Sequence, residues 1–228
     1  MSIDFAARLQ AVLARIRSAE MRFGRVSGSV GLVAVSKTHP VADIAAVAAA
    51  GQRGFGENYW QEAAAKLPAL VALDLEWHFI GPLQANKTRS IAEKFAWVHS
   101  VDRLKIAERL SQQRPTALPP LNVCLQVNVS GEPSKHGLDA SDLPIVAHAV
   151  AVLPRLRLCG LMAIPAPATD FAAQRRPFAR LRELQKVLIA DGLALDTLSM
   201  GMSDDLEAAI AEGSTLVRIG TAIFGARA

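Results

Sequence analysis

The sequence predicts an α/β fold, a single closed (β/α)8 barrel of the TIM type with parallel strands, and three observations carry that prediction. Eight short apolar runs rich in β-branched residues alternate with stretches of helical period. The segments joining them are short and punctuated by Gly and Pro. No GxGxxG follows the first strand, so the open doubly wound sheet, which would also alternate, lacks its phosphate fingerprint. With 228 residues, 51% of them hydrophobic, the chain can bury a large core and is expected to form one domain over residues 1–228.

Taken in order, Ile3 to Arg17 sets Phe5, Leu9, Val12, Leu13 and Ile16 at helical period, an amphipathic lead-in helix. The first strand lies in GLVAVSKT, Gly31 to Thr38, closed by the turn signal of Pro40, which puts Lys37 at its C-terminal edge. Val41 to Ala50 is a helix stopped by Gly51. A second strand, Arg53 to Gly56, runs into the helical GENYWQEAAAKL. A third, Trp77 to Ile80, precedes Gly81-Pro82 and a helix from Gln84 to Phe95. Trp97 to Ser100 is the fourth strand, with Asp102 expected to cap the helix that ends near Arg114. Leu121 to Val129 is the fifth, leading into the polar loop SGEPSKHG and a helix from Ser141 to Leu153. Leu156 to Ile164, a helix from Phe171 to Asp191, Thr197 to Met200, a helix from Asp204 to Glu212, and Thr215 to Ile219 complete the alternation.

Several classes are set aside. The longest apolar stretches are too short for a membrane span, and Asp4 and Arg8 interrupt what would be a signal-peptide core, so a cytoplasmic protein is expected. Cys124 and Cys159 lie in apolar runs without CxxC spacing and read as buried free thiols. The five histidines show no paired ligand spacing, and no metal is expected. The net charge of +4 is dispersed; the densest group, Arg175, Arg176, Arg180 and Arg182, reads as a solvated helix face, and no nucleic-acid partner is expected.

The chemistry gathers at the C-terminal strand ends, where parallel α/β folds bind ligands. An amine held over apolar walls, as Lys37 is there, is partly desolvated, which frees it as a nucleophile for a Schiff base. The loops after strands seven and eight are the usual phosphate site of such barrels. One carries SMGMSDD, where Gly201 admits a close backbone approach and Ser203 can cap the following helix. The other carries RIGTAIFG, with Gly220 and Thr221 in the same neighbourhood. Arg218, on the strand that closes against the first, shares the mouth with Lys37. Imine partner, anion cradle and a donor for a ring nitrogen are what a phosphorylated aldehyde cofactor requires.

The segments AVSKT, FGENYWQE, EWHFIGPLQANK, LMAIPAP, LSMGMSDDLEAAI and STLVRIGTAIFGAR resemble the YggS/PROSC family of pyridoxal phosphate homeostasis proteins, from about residue 5 to the C-terminus. The resemblance implies a barrel similar to the N-terminal domain of alanine racemase, with pyridoxal 5'-phosphate (PLP) held as an internal aldimine on Lys37. It implies phosphate contacts from Ser199, Gly201, Ser203, Gly220 and Thr221, with Arg218 facing the pyridine nitrogen. Asn58, His78 and Met162 fall in family motifs near strand ends and are implied as further pocket residues. Lys135, His136 and Gly137 stand as KHG where a serine is expected between lysine and glycine, and no pocket role is given to them.

A guanidinium opposite the ring nitrogen stays charged and discourages its protonation, which weakens the ring as an electron sink. The expectation is therefore a carrier acting in PLP homeostasis: reversible binding and supply of the cofactor, without turnover, to PLP-dependent apo-enzymes, by a monomer. The competing expectation is a racemase-like enzyme that uses Lys37 as its single base.

Overall fold

In a computed structural model, residues 3–130 and 136–225 are described. The elements run α1 (Phe5–Arg22), β1 (Gly31–Val35), α2 (Val41–Ala49), β2 (Gly54–Glu57), α3 (Trp60–Leu70), β3 (Glu76–Phe79), α4 (Thr88–Lys94), β4 (Trp97–Val101), α5 (Leu104–Gln113), β5 (Leu121–Gln126), α6 (Leu143–Ala151), β6 (Leu156–Met162), α7 (Phe171–Ala190), β7 (Thr197–Ser199), α8 (Leu206–Ala211), β8 (Leu216–Ile219) and α9 (Thr221–Phe224). The strands form a closed barrel in sequence order. Every pair is parallel, and β8 closes on β1 with Val33 opposite Arg218 and Ala34 opposite Ile219.

The expected (β/α)8 barrel is therefore the fold, and the differences lie at element ends. α1 continues to Arg22 because Ala19 and Glu20 still face inward. The buried Glu20 carboxylate accepts the Gly28 and Val30 N–H groups at 3.0 and 2.8 Å, tying the helix to the approach to β1. β5, β6 and β7 stop one to three residues early, where the strands splay at the mouth. Beyond Gln126 only Val127 still pairs, in a single bridge to Leu138. α4 begins at Thr88 because Gln84 to Lys87 make a turn, Lys87 N–H donating to the Gln84 carbonyl at 3.0 Å.

Asp102 does not cap α5: it accepts from the Arg103 guanidinium at 2.8 Å. Nor does Ser203 cap α8. Asp205 takes that ground by accepting the Met202 N–H at 2.6 Å, and Ser203 Oγ accepts instead from Ala222 N–H, 3.4 Å away on α9. The arginine group on α7 is not simply solvated. Arg175 and Arg182 both pair with the buried Glu212, each at 2.5 Å, and Arg180 donates to the Val129 carbonyl at 3.2 Å. Both cysteines are free and buried, and burial raises both thiols, Cys159 to about 11. They stay protonated at neutral pH.

The barrel interior is not wholly apolar. His78 on β3, His99 on β4, Ser199 on β7 and Arg218 on β8 are all buried and form one hydrogen-bonded chain. Its lower end is Glu76, whose Oε1 lies 3.0 Å from His78 Nε2. Because a carboxylate only accepts, neutral rings fix every direction: His78 Nε2 donates to Glu76, His99 Nε2 donates to His78 Nδ1, and the Ser199 hydroxyl donates to His99 Nδ1. Burial, reinforced by the electrostatic influence of His78 and Arg218, holds His99 well below the usual histidine range. Hydrogen bonding to His78 holds the Glu76 carboxyl low.

Candidate functional site

A cleft of about 200 Å³ opens at the C-terminal end of the strands. Lys37, Asn58, Ser203, Arg218, Gly220 and Thr221 line it, six of the ten residues expected at the site, drawn together from the ends of β1, β2, β7 and β8. The other four lie elsewhere. His78 points into the barrel and stacks on Trp97, ring centroids 5.6 Å apart. Met162 is fully buried in the core. Ser199 sits beneath the cleft, bonded to Arg218 and His99. Gly201 has φ +99°, and a Cβ there would come within 2.7 Å of the Ala209 Cβ, so its missing side chain serves the approach of α8. His78 and Ser199 thus face the interior but lie deeper than the cleft, in the hydrogen-bonded chain beneath Arg218.

Lys37 follows β1 by two residues, half-buried, in a turn with Thr38, whose φ is +68°. A β-branched residue in the left-handed region is uncommon and costs on the order of 1–3 kcal/mol. Asn58 follows β2 and is pressed against Gly81, where a Cβ would meet the Asn58 carbonyl oxygen at 2.0 Å. Its Oδ1 is buried without a hydrogen-bond partner, an acceptor on the cleft wall in need of a donor.

Arg218 forms the floor, 3% exposed. Nη1 donates to the Ser199 carbonyl at 2.5 Å and to Ser199 Oγ at 2.8 Å, and Nη2 donates to the Ala163 carbonyl at 2.9 Å. Burial pulls its pKa down to about 10, with Asp205 opposing. It therefore remains a cation at neutral pH. Gly220 and Thr221 lead into α9, whose opening N–H groups lack intrahelical partners. Gly220 is tight against β1, a Cβ there falling 3.3 Å from the Val35 carbonyl oxygen.

Sequence reasoning missed further cleft residues: His39, Ile80, Ile164, Met202 and Asp204. His39 carried a usable signal, because it lies two residues from Lys37 and four before Asp43, with which it pairs at 3.6 Å. It also stacks on Phe224, centroids 4.7 Å apart, across the end of the barrel. The others are aimed by loop conformations with no sequence period. In the KHG loop, Lys135 lies outside the described residues, the His136 carbonyl accepts from Gln126 Nε2 at 3.2 Å, and Gly137 has φ +128°.

Fold and cleft together define an α/β-barrel ligand-binding protein with a lysine at the rim and a buried arginine beneath. The chain belongs to the alanine racemase N-terminal domain family: the model described as "Alanine racemase, N-terminal domain" matches residues 8–228. Among curated relatives it is 65% identical to the "Pyridoxal phosphate homeostasis protein" of Pseudomonas aeruginosa, over 97% of this chain and 95% of that protein. It is 53% identical to the protein of the same name from Escherichia coli K12, over 98% and 97%. Among solved structures, PipY of Synechococcus elongatus PCC7942 with PLP bound superposes with a TM-score of 0.84 at 41% identity, covering 97% of this chain and all of that one. Alanine racemase of Corynebacterium glutamicum, at 18% identity and TM-score 0.70, shares the fold over 61% of its own length.

Proposed function

We propose that this protein binds pyridoxal 5'-phosphate reversibly in the cleft and acts in its homeostasis as a carrier without turnover. The observation that carries the reading is the convergence of Lys37, Arg218 and the Ser203/Gly220/Thr221 loops on one small cleft. The residues suit that ligand: a primary amine for an aldehyde, a buried guanidinium for a ring nitrogen, hydroxyls and a tight glycine turn near the start of α9 for a phosphate, and the buried Asn58 acceptor. The names of the relatives and the PLP in PipY support it.

When bound, PLP supplies an aldehyde that a primary amine condenses with, releasing one water, and that water regenerates. In this reading Lys37 provides the amine and loses it to no other group while the cofactor is held. Ser203, Gly220 and Thr221 hold the phosphate. Arg218, a cation fixed by three hydrogen bonds, would face the pyridine nitrogen and, staying charged, would disfavour a proton there. Without that proton the ring is a poor electron sink, which suits carriage over conversion. The same reading takes the chain as a single-domain monomer of the cytoplasm that hands PLP to dependent apo-enzymes. Among the described residues no helix is long and apolar enough to cross a membrane, which agrees with it.

The test is the visible spectrum of protein incubated with PLP, followed by borohydride reduction and mass mapping. The label is expected on Lys37 and absent from Lys37→Ala. A colourless wild type that takes no label would overturn the reading. Exchange of the α-proton of L-amino acids in deuterated water would overturn carriage in favour of an enzyme.

A further inference from the structure

We propose that Glu57, Glu62 and Lys66 are positioning residues for Lys37: an ionic clamp from β2 and α3 that holds the main chain on both sides of that lysine. The inference rests on the role given to Lys37 above.

Ser36 to His39 form a turn closed by His39 N–H donating to the Ser36 carbonyl at 3.1 Å, with Lys37 and Thr38 as its central residues. A turn whose third residue has positive φ is of type II, a place suited to glycine, and here Thr38 occupies it at φ +68°. Left alone, such a turn would relax. Both flanks are held from outside. Lys66 Nζ donates to the Ser36 carbonyl at 2.9 Å, to Glu57 Oε1 at 2.9 Å and to Glu62 Oε1 at 2.5 Å. The Ser36 hydroxyl donates to Glu57 Oε1 at 2.7 Å, and Thr38 N–H donates to Glu62 Oε1.

Lys66 and Glu57 are buried, so water and salt screen their contacts with Ser36 and with each other little, while the Thr38–Glu62 contact lies at the surface. Glu57 Oε2 has no partner, and burial raises its carboxyl against the opposing pull of Ser36 and Lys66. None of the three lines the cleft. Their contacts reach Lys37 through its two neighbours, and that arrangement fixes where its amine starts from.

The test compares full-length, PLP-loaded wild type with Glu62→Ala and with Glu62→Ala/Thr38→Gly. It reads the PLP dissociation constant and the pH midpoint of the visible band, with circular dichroism confirming folding. Glu62→Ala is expected to weaken PLP binding about ten-fold and to move the midpoint. The added Thr38→Gly is expected to restore most of the loss, because glycine takes positive φ without strain. A general loss of packing would not be repaired by removing a side chain next to Lys37.

A folded Glu62→Ala that binds PLP as wild type with an unmoved midpoint, or a loss that Thr38→Gly does not repair, would overturn the clamp. Should Glu62→Ala not fold, the isosteric Glu62→Gln, which cancels the charge facing Lys66, decides by the same readouts. Lys37→Ala separates the premise from the inference. A visible band that survives there removes the role of Lys37, whereas its loss there beside an unaltered Glu62 variant removes only the clamp.

Discussion

The two cations at the mouth of the barrel are mounted in opposite ways. Arg218 is fixed through its own side chain, which is buried and bonded to the Ser199 and Ala163 carbonyls and to Ser199 Oγ. The turn that carries Lys37 is held through the main chain on either side of it, and Lys37 itself is half-buried on that turn. The difference separates an anchor from a hook. A charge that must keep one place under a ligand is built into the strand ladder. An amine that must meet an aldehyde and let it go is hung from a braced turn.

That contrast can be broken by stability measurements. The largest effect is expected for Arg218→Ala, which empties the place of a buried side chain and removes its bonds to the Ser199 and Ala163 carbonyls and to Ser199 Oγ. It should lose roughly 3 kcal/mol or more in urea unfolding and lower Tm by roughly 6–12 °C. A loss under about 1 kcal/mol would mean that the anchor is no part of the core.

Ser199→Ala comes next, because it removes the hydroxyl shared by Arg218 and His99. We expect about 1–3 kcal/mol, and a double-mutant cycle with His99→Gln should show coupling between the two. Additive losses would argue against a continuous chain.

The third prediction concerns pH. The folded state holds His99 neutral well below its ordinary value of 6.5, so below that value the unfolded chain binds a proton that the folded chain refuses. Stability should therefore fall as pH drops from 6.5, by up to about 1.4 kcal/mol per pH unit from this group, until the folded value is passed. His99→Gln should flatten that part of the curve. Glu76, with its lowered carboxyl, contributes stability above 4.5 that is lost only at lower pH, so the two windows are distinguishable. An unchanged slope between pH 6.5 and 5 in His99→Gln would contradict the assignment.

The smallest stability effect sharpens the contrast. Lys37→Ala, at a half-buried position outside the strand ladder, should lose less stability than Arg218→Ala or Ser199→Ala while taking no borohydride-trapped label. A large loss of stability there would make Lys37 a second anchor.

What was legible in the sequence follows from the period of the elements. Eight β-branched runs between helical stretches specify the barrel, and a barrel brings every C-terminal strand end to one side. Lys37, Ser203, Arg218, Gly220 and Thr221 could thus be gathered without knowledge of a single side-chain angle, whereas Asn58 came only from the family resemblance. Depth along the barrel axis could not be gathered, because a motif near a strand end does not say how far below the mouth a side chain lies. His78 and Ser199 face the interior but lie beneath the cleft, and Met162 is buried beside Ser199. The cap assigned to Ser203 failed for a different reason: Asp205 competes for the same turn, and the four-residue α9 that Ser203 serves has no period to read. The Glu62–Lys66 pair, four apart on α3, has the spacing of an ordinary surface ion pair; only the packing of α3 against the end of β1 turns it toward Ser36 and Thr38.

The pairing of β1 with β8, Val33 beside Arg218, has a temporal meaning. A ribosome delivers Lys37 well before Arg218, so while the chain between them is made the nascent protein owns a hook with no anchor. Closing a loop that long is slow and comes late. Pairing of β8 with β1 is then the step that sets hook and anchor side by side.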